Sequence, residues 1–163
     1  MKPRGKVWGR TLRVRPRHLA AGVEKKNQMN NQELIAEANA GRELAYAPYS
    51  RFKVGAALLC KDGRVFRGCN VENAAYGLCN CAERTAFFSA IAHGCKPGDF
   101  ARLAVTGDTA EPISPCGACR QVIFEMGGAD LPVILTNLKN DVMEVTAGWL
   151  LPHGFGNSDL DMK

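Results

Sequence analysis

The sequence contains no apolar run approaching the ~20 residues that a membrane-spanning helix needs, and its N-terminus lacks the apolar stretch of a secretory signal. The expectation is a soluble, cytoplasmic protein with no membrane partner. Histidine is scarce: of the three present, His93 and His153 have no neighbouring residues that suggest a catalytic triad. A Cys–His hydrolase is therefore disfavoured. There is no internal repeat and no low-complexity tract. The seven cysteines do not make an even set, and in a chain that is 46% hydrophobic they suit reduced thiols with some metal binding better than a disulfide framework.

A length of 163 residues accommodates one ordinary domain. The formal charge of +5 is unevenly placed. Residues 1–28 hold nine Lys and Arg and one Glu, so residues 29–163 carry about −3. The leader shows no apolar periodicity and is read as a disordered basic extension, ranked above a nucleic-acid-binding arm or an organelle-targeting presequence. The domain proper is expected to span 29–163, and its acidic balance argues against a nucleic-acid partner.

Periodicity in that domain predicts a first helix from Asn30 to about Tyr46. Lys53–Cys60 and Arg64–Cys69 predict an antiparallel hairpin whose Asp62-Gly63 turn needs positive φ. A second helix is expected over Cys81–His93 with Gly94 as its stop, and a strand over 101–106. A third helix is expected over Pro115–Met126, with Pro115 at its first position, followed by strands at 132–136 and 142–146. Alternating strands and helices predict an α/β fold, three layers in α/β/α order, with a mixed sheet of about five strands. Strand order does not follow from the sequence.

Cys116 and Cys119 stand three apart at a helix start, so both sulfurs can reach one metal ion, and a helix N-terminus favours the thiolate that metals require. Cys81, also at a predicted helix start, is the third candidate ligand. Three thiolates leave the fourth zinc position to water, the mark of a catalytic rather than a structural site. Glu83, two residues past Cys81, can overlook the metal without binding it. Cys81-Ala82-Glu83 followed downstream by Pro115-Cys116-Gly117-Ala118-Cys119 matches the zinc-deaminase signature in its three-cysteine form. Cys79 is a rival to Cys81, and Cys60, Cys69 and Cys95 read by default as small hydrophobic residues.

With these segments, and with Tyr46–Ala57, Gly68–Tyr76 and Leu150–Gly156, the chain from about Met29 to Leu160 resembles the cytidine deaminase family, in its short three-cysteine nucleoside form. The resemblance implies one Zn²⁺ per subunit and hydrolytic deamination of free cytidine and 2′-deoxycytidine in pyrimidine salvage. Glu83 would shuttle protons and Arg84 would bond the sulfurs. It further implies that Phe52 stacks on the pyrimidine and that Asn70 and Glu72 hydrogen-bond the ribose 3′-hydroxyl. The Ala82 backbone and the Ser114 carbonyl would face the base and its amine. Ala74, Tyr76 and Phe155 would enter neighbouring sites in a homotetramer. Three alternatives remain open: another aminopyrimidine nucleoside as substrate, cytosine in a polynucleotide, or a non-catalytic zinc module closed by Cys79.

Overall fold

The computed structural model describes residues 29–160; the basic segment 1–28, and with it the reading of that segment as an extension, lies outside the described residues. Helix α1 (Asn31–Glu43) opens with a reciprocal cap. The Asn30 side chain accepts from the Glu33 backbone N–H while the Glu33 carboxylate accepts from that of Asn30. The helix stops short of the expected Tyr46. There the backbone pairs across the fold instead, with Tyr46 N–H donating to Asn70 O and Glu72 N–H donating to Tyr46 O.

Strands β1 (Val54–Cys60) and β2 (Val65–Cys69) form the expected hairpin, and Gly63 adopts φ +87° in its turn. A 3₁₀ turn (Tyr76–Leu78) leads to α2 (Ala82–Ala92), which has Cys81 as N-cap and Gly94 at φ +90° just past its end. Then follow β3 (Phe100–Gly107), α3 (Gly117–Gly127), β4 (Pro132–Asn137), β5 (Val142–Thr146), the single helical turn α4 (Ala147–Leu150) and a final 3₁₀ turn (Asn157–Leu160). Helix α3 begins later than expected. Cys116 has extended backbone, φ −67° and ψ 165°, and serves as N-cap, so Pro115 precedes the helix rather than occupying its first position.

The five strands lie in the order β2-β1-β3-β4-β5, with β3 and β4 parallel and the other neighbours antiparallel. Strand alternation sorts side chains to two faces. Ala56, Leu58, Leu103, Val105, Val133 and Leu135 pack with Phe87 and Ile123 of α2 and α3. Ala57, Leu59, Ala104 and Ile134 pack with Leu34, Ile35 and Ala38 of α1. This is the three-layer α/β/α arrangement. Each fully buried large side chain such as Phe87 contributes about 1.5–3 kcal/mol.

Two strand glycines set how closely the helices approach. A Cβ on Gly55 would lie 2.1 Å from Ala38 O in α1, and one on Gly68 would lie 2.0 Å from Ala82 O and 2.7 Å from Ala86 N in α2. Gly68 thus sets the position of the very turn of α2 that follows Cys81 and carries Glu83. Substitution Gly68→Ala is expected to destabilise the protein by about 3 kcal/mol, the upper end of the usual overpacking cost, because backbone atoms must move. Gly77→Ala, with open space around it, should be close to neutral. Urea unfolding checks this, by a lower midpoint at unchanged slope for the first variant alone.

Candidate active site

Cys81 and Cys116 are the N-caps of α2 and α3, and neither side chain makes a capping hydrogen bond. Their sulfurs are free to face each other across the convergence of two helix N-termini, where partial positive charge favours thiolate. Cys119, in the first turn of α3 and buried, completes the group. The three sulfurs lie within 4.8 Å of one another, with Cys81 and Cys116 3.8 Å apart. A tetrahedral ion with metal–sulfur bonds of about 2.3 Å has sulfur–sulfur edges of about 3.8 Å, so this donor set fits zinc in size and in softness.

The electrostatics agree. A hydrogen bond from the Cys119 thiol, helped by Arg84 and Cys116, lowers the Cys81 pKa to about 5 against the effect of burial. Cys119 is pushed up, first by that same bond and then by burial. Between Cys81 and Cys119 the proton thus stays on Cys119, and a divalent ion would replace thiol protons, so its affinity grows as pH rises. Arg84 donates from Nη2 to Cys81 Sγ at 3.6 Å and to the Cys79 carbonyl at 3.3 Å.

Glu83 is 3% exposed, and its Oε2 is buried with no hydrogen-bond partner. Burial, with the Cys81 thiolate adding to it, raises the pKa of its carboxyl. An unpaired buried polar atom costs about 1–3 kcal/mol, so this oxygen asks for a partner such as a water or a substrate N–H. Cys79 does not supply a fourth ligand: its sulfur accepts from Asn73 N–H at 3.3 Å and its thiol donates to Asn73 O at 3.6 Å. Among the described residues the converging ligand atoms are those of Cys81, Cys116 and Cys119.

The remaining candidates fall into three groups. Asn70 bridges two backbone positions, its amide donating to Phe52 O and its carbonyl accepting from Val54 N–H, both at 2.8 Å. Glu72 accepts from the N–H groups of Tyr49 and Ser50 and from the Ser50 hydroxyl, which holds its carboxyl below the usual range. Both therefore shape the loop that presents Phe52, whose partly exposed ring sits over Gly107. Ala82 is buried in the first turn of α2, and exposed Ser114 accepts from Arg120 through its hydroxyl. Ala74, Tyr76 and Phe155 are exposed. Tyr76 stacks edge-on to Tyr49, at 6.0 Å between centroids. A hollow of about 330 Å³ is walled by Tyr49, Ser50, Glu72, Tyr76 and Cys79, and Phe155 is not part of that wall.

One residue escaped the sequence reading. Arg120, directly after Cys119, donates to Pro115 O at 2.8 Å, to Leu150 O at 3.1 Å and to Ser114 Oγ at 2.7 Å. A guanidinium one position past a candidate ligand was the available signal.

Residues 28–135 match the family model described as the cytidine and deoxycytidylate deaminase zinc-binding region. A cytidine deaminase of Sporosarcina psychrophila is 55% identical over 132 residues, covering 81% of this chain and 96% of that protein. A probable cytidine deaminase of Dictyostelium discoideum is 41% identical over 139 residues, 83% of this chain and 92% of that one. The crystal structure of cytidine deaminase from Burkholderia pseudomallei matches with a TM-score of 0.77 at 63% identity, covering 78% of this chain and all of that one. That from Mycobacterium tuberculosis matches with a TM-score of 0.66 at 40% identity, covering 77% and 96%.

The geometry predicts that Cys81→Ala, Cys116→Ala and Cys119→Ala each lose stoichiometric zinc after gel filtration, while Cys79→Ala retains it. Elemental analysis of the purified variants is the check, and zinc loss confined to Cys79→Ala would reverse the assignment.

Proposed function

The chain belongs to the zinc-binding cytidine and deoxycytidylate deaminase family, and from that premise we propose that it hydrolyses free cytidine and 2′-deoxycytidine to uridine and 2′-deoxyuridine, releasing ammonia. The observation that carries this reading is the buried Glu83 carboxyl, whose Oε2 has no partner, in the helix turn that follows Cys81, next to a site where three sulfurs and no fourth ligand converge among the described residues.

Cys81, Cys116 and Cys119 hold the ion. When bound, zinc supplies a water whose pKa falls towards about 7 and which can attack C4 of the pyrimidine. Glu83 would take one proton from that water and pass it to N3, then take the remaining hydroxyl proton once its oxygen is bonded to C4 and hand it to the amine, which leaves as ammonia. Burial suits Glu83 to this shuttle, since it raises the pKa of the carboxyl and so favours the protonated form that donates. Three thiolates on a dication leave a net charge of about −1, which Arg84 offsets through Cys81.

Phe52 stacks on the base, and Asn70 and Glu72 bind the ribose 3′-hydroxyl. Their bonds to the 49–54 backbone support this role, because they fix both side chains before substrate arrives. The Ala82 backbone and Ser114 carbonyl face the base and its amine. Ala74, Tyr76 and Phe155 complete neighbouring sites in a homotetramer, a reading supported by large apolar groups left in water: Tyr76, Leu78 and Phe155 are 72%, 73% and 58% exposed. No helix among the described residues is long and apolar enough to cross a membrane, which accords with a cytoplasmic salvage role. The net charge of about −3 over residues 29–163 disfavours a polynucleotide substrate.

Substitution Glu83→Gln is expected to keep one zinc per chain and to lower kcat by about 10²–10⁴-fold, followed by ultraviolet absorbance of cytidine. Near-normal turnover in that variant would remove Glu83 from the role. Free cytidine should be consumed and a single-stranded oligonucleotide spared; activity on the oligonucleotide alone would exclude the nucleoside reading.

A further inference from the structure

Helix α3 does more than carry two sulfurs. Arg120 follows the ligand Cys119 and reaches back to Pro115 O, the residue before the ligand Cys116, so a single side chain closes a ring around both. The same guanidinium holds Ser114 Oγ and, from a different part of the chain, Leu150 O at the end of α4. Among the described residues its partners are carbonyl and hydroxyl oxygens rather than a carboxylate, so its charge is spent on orienting backbone dipoles. Only a planar fork of donors spans three acceptors in this way; a lysine offers one compact ammonium.

The next residue continues the grip. Gln121 Nε2 donates to Phe155 O at 2.7 Å. The chain on either side of Phe155 lies close along α3, where a Cβ on Gly154 would meet Phe124 Cδ1 at 3.1 Å and one on Gly156 would meet Phe124 Cε1 at 3.4 Å. Two successive residues of one helix thus tie the metal loop at 114–116 to the chain at Leu150 and at Phe155.

We propose that Arg120 and Gln121 are positioning residues forming a bracket: Arg120 holds the metal loop in register, and Gln121 fixes the C-terminal segment that presents Phe155 to the substrate site. The substrate side of this bracket rests on the nucleoside deaminase reading; the metal side does not.

Zinc-loaded Arg120→Gln, Arg120→Lys, Gln121→Ala and unsubstituted protein are compared by three measurements. These are zinc release to a chromophoric chelator, amide exchange over 151–156, and kcat and KM for cytidine. Arg120→Gln should release zinc about 10–100-fold faster, the usual effect of losing a residue that orients ligands, and Arg120→Lys should fall between it and the unsubstituted protein. Gln121→Ala should release zinc at the unsubstituted rate, exchange faster over 151–156, and raise KM by a larger factor than it lowers kcat. Unchanged zinc release in Arg120→Lys and Arg120→Gln, or unchanged exchange and KM in Gln121→Ala, overturns the bracket. If Arg120→Gln does not fold by circular dichroism, the lysine and Gln121 variants decide. If the unsubstituted protein leaves cytidine untouched, the functional reading fails, while release and exchange still judge the bracket.

Discussion

Everything in this molecule depends on two helix N-termini meeting over one end of the sheet. Each brings a cysteine at its N-cap, in extended backbone, with a thiol not spent on capping. The positive ends of two helices make the convergence a place where sulfur carries negative charge at little cost. Without a cation that charge is shared with protons, and the lowered Cys81 beside a raised Cys119 is the signature of that sharing. A zinc ion fits the same balance because it takes over from those protons.

The sheet creates the convergence through what it omits. Gly68 lets α2 press directly on β2, and Gly55 lets α1 press directly on β1 on the opposite face. A strand glycine ordinarily weakens its strand by removing a packing side chain. Here the missing side chain is the condition for backbone contact. The approach at Gly68 sets the turn that holds Glu83, and so connects an architectural detail to the chemistry.

Much of this was legible in the residues. Gly63 takes the positive φ that the Asp62-Gly63 turn demanded, Gly94 ends α2, and the spacing of Cys81, Cys116 and Cys119 pointed to the sulfur group that the fold assembles. Other features were not, for physical reasons. Strand order depends on which edges meet in space, and hydrophobic alternation is the same for every order. Pro115 suits a first helical position, yet the backbone keeps Cys116 extended and starts the helix at Gly117, a choice between neighbouring registers that propensity does not resolve. Cys79 stood beside Cys81 in sequence, but its thiol turns to the Asn73 backbone. The reach of Arg120 to Leu150 spans thirty positions and leaves no local pattern. The bonds of Asn70 and Glu72 to the backbone of residues 49–54 are compatible with the role at the ribose proposed for them, since a side chain fixed by backbone bonds is also preorganised for a ligand.

The central claim is a zinc ion held by three sulfurs with one position left for a reacting water. X-ray absorption of the zinc-loaded protein without substrate reads that coordination directly. The account predicts three sulfurs at about 2.3 Å and one oxygen-like neighbour at about 2.0 Å. Four sulfurs around the ion would contradict it, because a closed site has no place for the water that the chemistry requires.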